Sequence, residues 1–238
     1  CAHASTSVPT ARENPDRRPA DDLVIAVLVP MSTVDWPDHL TATVFLQGCP
    51  WNCFYCHNQA LIPARTPGQV PWEEVRALLR RRRGLLDGVV LTGGEALRQD
   101  ALADAAREVM DTGFQVGLHT AGPYQRRLRD MIEAGLVDWV GLDVKALPEH
   151  YGQVVGRANA AARAWESLEV LVEAAGRGGP DFEVRTTVVP GDVTADDPVE
   201  VARRVHAAGA RVYALQQARP GGLGGQFAVL APGWDGLC

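Results

Sequence analysis

Short apolar runs alternate with amphipathic stretches along the chain from residue 23 onward. The runs are rich in Val and Leu and are bounded by Gly or Pro, which is typical of strands buried on both faces. Six of them are predicted as strands, at 41–48, 88–94, 115–120, 139–146, 182–189 and 211–217, and the earlier run 23–30 also has strand character. Helices are predicted near 71–83, 99–112, 123–134, 161–175 and 196–208.

This alternation predicts an α/β domain with parallel strands and outer helices. Right-handed crossovers would curl such a sheet into a barrel or a partial barrel, although a flat, doubly wound sheet has the same alternation. Polar residues and glycines gather where the runs end, which favours the barrel because barrel active sites lie at the carboxyl ends of the strands. We expect a disordered N-terminal tail at 1–22, the barrel at 23–220 and a C-terminal tail at 221–238.

Composition limits the classes of partner. The net charge of −6 argues against general binding to nucleic acid. No apolar run approaches the 18 or more residues of a membrane span, so no membrane association is expected. Two of the five cysteines, Cys1 and Cys238, stand apart from the others and are predicted to be free thiols.

The other three cysteines form the chemically densest stretch of the chain. Cys49, Cys53 and Cys56 follow the run 41–48 with the spacing C-x3-C-x2-C. A structural zinc site needs four protein ligands, and His57 is available as the fourth. An iron–sulfur cluster is also held by thiolates, and three of them would leave one coordination position open for a substrate or cofactor. Both kinds of centre fit the residues alone.

The cysteine spacing, with Tyr55 directly before the last cysteine, resembles the signature of the radical S-adenosylmethionine (radical SAM) enzymes. The strings STVDWP at 32–37 and TVFLQGCPWNCFYCHN at 43–58 are similar to the activating enzymes of glycyl radical enzymes. Within that group they most resemble the activase of the anaerobic ribonucleoside-triphosphate reductase. The resemblance covers about residues 25–220. It implies a partial (β/α)6 TIM-like barrel with S-adenosylmethionine and one 4Fe-4S cluster, and the cysteines are too few for a second cluster.

Two motifs at strand ends are predicted to bind that cofactor. Gly93 and Gly94 permit close approach of a ligand, and the Glu95 carboxylate can accept hydrogen bonds from an ammonium group. The resemblance implies that this motif binds the amino group of S-adenosylmethionine. His119 stands where related activases have Asp. Its imidazole could hydrogen-bond a ribose or a carboxylate but would be a poor ligand for a monovalent cation, and a purely structural role is also open.

Three further motifs end the later runs. Asp143 and Lys145 are two residues apart on a predicted strand and are expected to face the same side, either as a salt bridge or in the site. The resemblance places Lys145 near the carboxylate of the cofactor. Arg185 begins a string, RTTVVP, that is similar to the family, and it suits a carboxylate or a ribose. Gln216 could hydrogen-bond adenine or ribose, or lie in an exposed loop.

The resemblance therefore implies a radical SAM oxidoreductase whose substrate is a protein, the anaerobic ribonucleotide reductase. A flavodoxin or ferredoxin would supply single electrons, and reduced thiols fit a cytoplasmic location. Two alternatives stay open. One is a radical SAM enzyme that acts on a small molecule, as 7-carboxy-7-deazaguanine synthase does. The other is an α/β binding protein with a structural zinc site.

Overall fold

The computed structural model of the chain describes residues 19–189 and 197–218. Its strands are β1 (Ile25–Ser32), β2 (Thr41–Leu46), β3 (Gly88–Gly93), β4 (Gln115–Thr120), β5 (Trp139–Asp143), β6 (Asp181–Val188) and β7 (Tyr213–Gln217). Its helices are α1 (Trp72–Arg82), α2 (Leu102–Asp111), α3 (Gln125–Glu133), α4 (Pro148–Val155), α5 (Ala160–Ala175) and α6 (Pro198–Ala207). Most of the predicted N-terminal tail, the predicted C-terminal tail, Cys1 and Cys238 lie outside the described residues.

The seven strands form one sheet whose spatial order follows the chain from β1 to β7. Strands β2 to β7 pair in parallel, and β1 pairs antiparallel with β2. A doubly wound sheet reverses its strand order partway across, so this sequential order identifies the barrel alternative. Among the described residues β1 and β7 do not pair with each other, which leaves the barrel partial, as predicted.

Four local features differ from the sequence expectations. Strand β1 runs against its neighbour, a direction that the apolar run 23–30 did not reveal. Helix α4 was not predicted, because it has only eight residues and contains a glycine. Strand β5 ends at Asp143, so Lys145 follows the strand and does not belong to it. Residues Pro19–Asp22, assigned to the tail, form a 3-10 turn in which Ala20 is fully buried.

The main hydrophobic core lies between the sheet and the helices, where β3 contributes Val89 and Leu91. A second, smaller cluster comprises Trp36, Val90 and Trp139. Because successive residues of a strand point to opposite faces, Val90 lies on the inner face of the barrel. No helix within the described ranges combines the length and the apolar character that crossing a membrane requires.

Trp36 fills the interior of the barrel from the connection between β1 and β2. Its ring stacks on Trp139 with centroids 5.5 Å apart and an interplanar angle of 17°. Gly117 of β4 makes room for it, since a Cβ atom there would lie 2.7 Å from Trp36 Cε3. A Cβ at Gly88 would lie 3.2 Å from Cζ3 of the same ring. The indole is thus packed against backbone that lacks side chains.

We predict that Gly117→Ala destabilises the protein by about 1–3 kcal/mol, the usual cost of overpacking a filled core. The added methyl group would force Trp36 to move. Gly176→Ala is the matched control, because Gly176 has a negative φ of −63° and its nearest neighbour would be 3.5 Å away. Urea denaturation of both variants measures the difference. Equal stability of Gly117→Ala and the wild type would contradict the tight packing of Trp36.

Candidate active site

One cavity of about 330 Å³ lies at the carboxyl ends of the parallel strands. It has the size of a small-molecule site. All the residues predicted for the site line it: Cys49, Cys53, Tyr55, Cys56, Gly93, Gly94, Glu95, His119, Asp143, Lys145, Arg185 and Gln216. Residues from the cysteine loop and five strand ends, far apart in the sequence, therefore surround one space.

The cysteine loop follows β2 and is held at its start by backbone hydrogen bonds. Gly48 N–H donates to Leu61 O at 2.7 Å, and Cys49 N–H donates to Ile62 O at 3.0 Å. The three thiols form no disulfide. Burial raises the pKa of the Cys49 thiol to about 12 and also raises the pKa of Cys53, while the nearby positive charge of Lys145 acts in the opposite direction.

The donor set fits an iron–sulfur cluster better than a single zinc ion. Within residues 19–189 and 197–218, no three side chains of His, Cys, Asp or Glu are arranged to hold one metal ion. His57, the fourth ligand of the zinc alternative, also borders the cavity. Three free thiols around one cavity suit a larger group, and a bound metal would deprotonate them despite their raised pKa values.

The two glycines at the end of β3 have a packing role that the sequence did not reveal. Gly93 has a φ of +123°, and a Cβ atom there would lie 2.1 Å from Leu46 N. A Cβ at Gly94 would lie 2.5 Å from Gly48 O and 2.8 Å from Leu61 O. The space beside both residues is filled by protein backbone. The glycines thus allow the end of β3 to approach the base of the cysteine loop.

Glu95 is buried and bonded to neighbouring backbone and side-chain donors. Its Oε1 accepts hydrogen bonds from Leu97 N at 3.2 Å and from Thr120 Oγ1 at 2.8 Å, and its Oε2 accepts one from Ala121 N at 3.0 Å. Burial raises the pKa of this carboxyl group to about 7, although the three hydrogen bonds favour the ionised form. Glu95 joins the end of β3 to the end of β4.

Asp143 lies between two buried cations. Its Oδ2 is 3.2 Å from Lys145 Nζ, and its Oδ1 is 2.9 Å from Arg185 Nε. Burial would raise the pKa of Asp143, but Arg185 and Lys145 outweigh burial and lower it to about 2. The pKa of Lys145 lies well above its usual range, because the electrostatic effects of Tyr55, Asp143 and Cys53 exceed the opposing effect of burial. The salt bridge between Asp143 and Lys145, which the sequence left as an alternative to a place in the site, is formed by two residues that line the cavity.

His119 is a neutral group at the end of β4. Burial, followed by the charge of Arg185, lowers its pKa to about 3. Its Nε2 lies 2.7 Å from Asp35 O and 3.2 Å from Arg185 Nη1. The shorter contact suits an Nε2–H that donates to the Asp35 carbonyl. His119 thereby connects β4 to the segment after β1, whose Asp35 carboxylate also accepts a hydrogen bond from Thr43.

The remaining predicted residues differ in environment. Tyr55 is buried, its hydroxyl has no hydrogen-bond partner among the described residues, and Lys145 Nζ lies 5.6 Å from its ring centroid. Gln216 is exposed at the rim, where Thr187 Oγ1 donates to it at 3.5 Å.

Several residues outside the predicted site also line the cavity, among them Val34, Asp35, Thr120 and Thr187. Each lies within or next to a predicted strand or a quoted motif. Position at the end of a strand was therefore the signal that could have identified them.

The raised pKa of Glu95 predicts a pH-dependent stability. Between about pH 4.5 and 7 the folded state retains a proton that the unfolded state has released, so the free energy of unfolding falls as the pH rises. The fall attributable to this one group is about 2–3 kcal/mol. Urea denaturation of the wild type and of Glu95→Gln at pH 5 and pH 7.5 isolates it, because the amide does not titrate. Parallel pH profiles of the two proteins would refute the shift.

Solved structures share the fold. SuiB of Streptococcus suis bound to S-adenosylmethionine has a TM-score of 0.56 and 12% identity, covering 74% of this chain and 40% of SuiB. TYW1 with a lysine-pyruvate adduct has a TM-score of 0.53 and 17% identity, covering 75% of this chain and 65% of TYW1. The chain thus spans less than two thirds of either structure, and at these identities the likeness concerns the fold alone.

Curated sequences give more specific relatives. A protein of Methanocaldococcus jannaschii that carries the name of a glycyl-radical enzyme activating enzyme is 28% identical over 201 residues, which are 83% of this chain and 80% of that protein. The pyruvate formate-lyase-activating enzyme of Clostridium pasteurianum is 26% identical over 181 residues, which are 74% of this chain and 71% of that enzyme.

The family model described as the Radical SAM superfamily matches residues 43–215. The match begins in β2, contains the whole cysteine loop and extends into β7. The match therefore includes the cysteine loop and strands β3 to β6, whose ends line the cavity. Together with the fold and the relatives, this match establishes that the chain belongs to the radical SAM superfamily.

Proposed function

We propose that this radical SAM enzyme activates a glycyl radical enzyme, and that its protein substrate is an anaerobic ribonucleoside-triphosphate reductase. The observation that carries the proposal is the convergence of the cysteine loop and five strand ends on one cavity. The names of the two curated relatives support the activase class. The strings at 32–37 and 43–58 support the reductase as the partner.

The proposed reaction needs one electron for each radical formed. A 4Fe-4S cluster held by the three thiolates, together with S-adenosylmethionine, would supply one-electron reductive cleavage and abstraction of a hydrogen atom from the Cα of a glycine. The products would be methionine, 5′-deoxyadenosine and a glycyl radical on the partner. The cofactors supply this chemistry, and the protein binds and orients the reacting groups.

In this proposal Cys49, Cys53 and Cys56 hold the cluster. Their place on one short loop lets all three thiols approach one group. The open coordination position that three ligands leave would accept S-adenosylmethionine.

Glu95 and Lys145 have the capacity to bind the two ends of the methionine part. A carboxylate has about four acceptor sites, and Glu95 uses three of them, which leaves one on Oε2 for an ammonium group. Lys145 Nζ donates to Asp143 and retains two further protons for a carboxylate.

Tyr55, His119, Arg185 and Gln216 complete the proposed cofactor site. Arg185 already bonds Asp143 through its Nε and Gly141 O through its Nη2, so we assign it to holding Asp143 at the border of the cavity. His119 and Gln216 are assigned to the ribose or adenine, and Tyr55 to contact beside the cluster.

The partial barrel offers a lateral entrance for a protein substrate. Among the described residues β1 and β7 are unpaired with each other, so the sheet does not close around the cavity. Val34, at the rim next to β1, is 86% exposed. A polypeptide loop that carries a glycine could enter between these edges. An electron carrier such as flavodoxin or ferredoxin, and a cytoplasmic location, complete the proposal.

Replacing one cluster ligand tests the cofactor assignment. After anaerobic reconstitution we expect roughly four iron atoms per wild-type chain and, with a reductant, conversion of S-adenosylmethionine to 5′-deoxyadenosine. Cys53→Ala should abolish this product, measured by chromatography, because two thiolates cannot replace three. Cys238→Ala serves as the control for loss of a cysteine outside the loop. Full activity of Cys53→Ala would refute the ligand assignment.

Electron paramagnetic resonance tests the proposed partner. The reduced enzyme, S-adenosylmethionine and an anaerobic ribonucleotide reductase should give a glycyl radical signal on the reductase. The signal should vanish when the acceptor glycine of the reductase is replaced by alanine, which serves as the control. Efficient formation of 5′-deoxyadenosine without any radical on the reductase would contradict this partner, and would favour the alternative of a small-molecule substrate.

A further inference from the structure

Helix α4 ends against the cysteine loop. Two carbonyl groups of its last turn accept hydrogen bonds from the loop, Val155 O from Asn52 N–H at 3.1 Å and Val154 O from Phe54 N–H at 3.2 Å. The carbonyls at the end of a helix have no partner within the helix, so these bonds satisfy both elements. The two donors stand on either side of Cys53. The position of this cysteine is therefore coupled to the end of α4.

Tyr151, inside α4, contacts the opposite wall of the cavity. Its hydroxyl accepts a hydrogen bond from Lys145 N–H at 3.3 Å and donates one to Asp143 O at 3.4 Å. The side chain is fully buried. Its ring packs edge-on against Trp51 of the cysteine loop, with centroids 5.8 Å apart. One side chain thus touches both the end of β5 and the cysteine loop.

We propose that α4 acts as a strut that sets the distance between the cysteine loop and the end of β5, with Tyr151 as a positioning residue. The inference rests on the proposed function, because the strut matters for a cofactor that must contact the loop and Lys145 at the same time. The Tyr151 hydroxyl bonds the backbone of both Asp143 and Lys145, so it fixes the orientation of that backbone and with it the directions of the two side chains. Tyr151 does not border the cavity and acts only through these neighbours.

The first test is Tyr151→Phe, which keeps the ring against Trp51 and removes only the hydroxyl. Tyr213→Phe is the matched control, since the Tyr213 hydroxyl also bonds a backbone carbonyl, Pro198 O at 3.5 Å, away from the cavity. We expect Tyr151→Phe to assemble a wild-type amount of cluster but to bind S-adenosylmethionine about 10-fold more weakly, the effect typical of groups that orient ligands. The change that the cofactor causes in the resonance spectrum of the reduced cluster should also differ from that of the wild type.

The second test changes the C-terminal end of α4. Gly156 ends α4 with a φ of +68°, directly after the Val154 and Val155 carbonyls that hold the cysteine loop, so backbone strain here acts on those bonds. A Cβ at Gly156 would make only ordinary contact with Asn52 O, at 3.5 Å. Gly135 has a φ of +64° after α3, with nothing within 4 Å of its Cβ position. Alanine at either position adds similar backbone strain. We expect similar thermal midpoints for the two variants but about 10-fold faster loss of iron to a chelator only for Gly156→Ala.

The outcomes separate this inference from the proposed function. If the wild-type chain binds neither a cluster nor S-adenosylmethionine, both are overturned. If the wild type binds both and Tyr151→Phe shows the same affinity and the same spectrum, only the strut is overturned. The strut is also overturned if Gly156→Ala and Gly135→Ala lose iron at equal rates, because α4 would then contribute no more than general stability.

Discussion

The carboxylate of Asp143, buried between Lys145 and Arg185, is the interaction on which the cavity depends. Two cations packed at the inner end of a sheet repel each other and lose their hydration, and the shared anion compensates both costs. It also fixes where each cation points. Lys145 extends toward Tyr55 of the cysteine loop, and Arg185 extends toward His119. One charge thus arranges polar groups that arrive from four different parts of the chain.

Close backbone contacts fix the conformation of the cysteine loop. Gly93 and Gly94 bring β3 against the loop, Leu61 and Ile62 accept its first N–H groups, and the end of α4 accepts two more. A loop whose donors are already paired with protein carbonyls has few conformations left. Such a site is organised before any ligand arrives, which lowers the cost of binding.

Local pattern predicted the parallel sheet with its outer helices, and the polar run ends together with the resemblance favoured the partial barrel that the strand order confirms. The residues proposed for the site all line one cavity. Apolar runs identify strands, and a polar residue at the end of a run identifies the face on which it lies. Three features needed long-range information. Helix α4 is too short to show a hydrophobic period. Two of the three donors to Glu95, Thr120 and Ala121, come from the end of the next strand, β4. The direction of β1 depends on its pairing with β2. Lys145 was found by its spacing from Asp143, although it lies beyond the strand.

The packing of Trp36 has a consequence for how this sequence can change over time. The indole occupies a volume that exists only because Gly88 and Gly117, on two different strands, have no side chains. A larger residue at Gly117 requires a smaller one at position 36, and loss of the indole leaves a void beside Trp139. At Gly88 an added Cβ would also meet backbone, 2.7 Å from Gln115 O. Positions 36 and 117, 81 residues apart in the sequence, are therefore coupled through this packing, and we expect them to vary together or not at all.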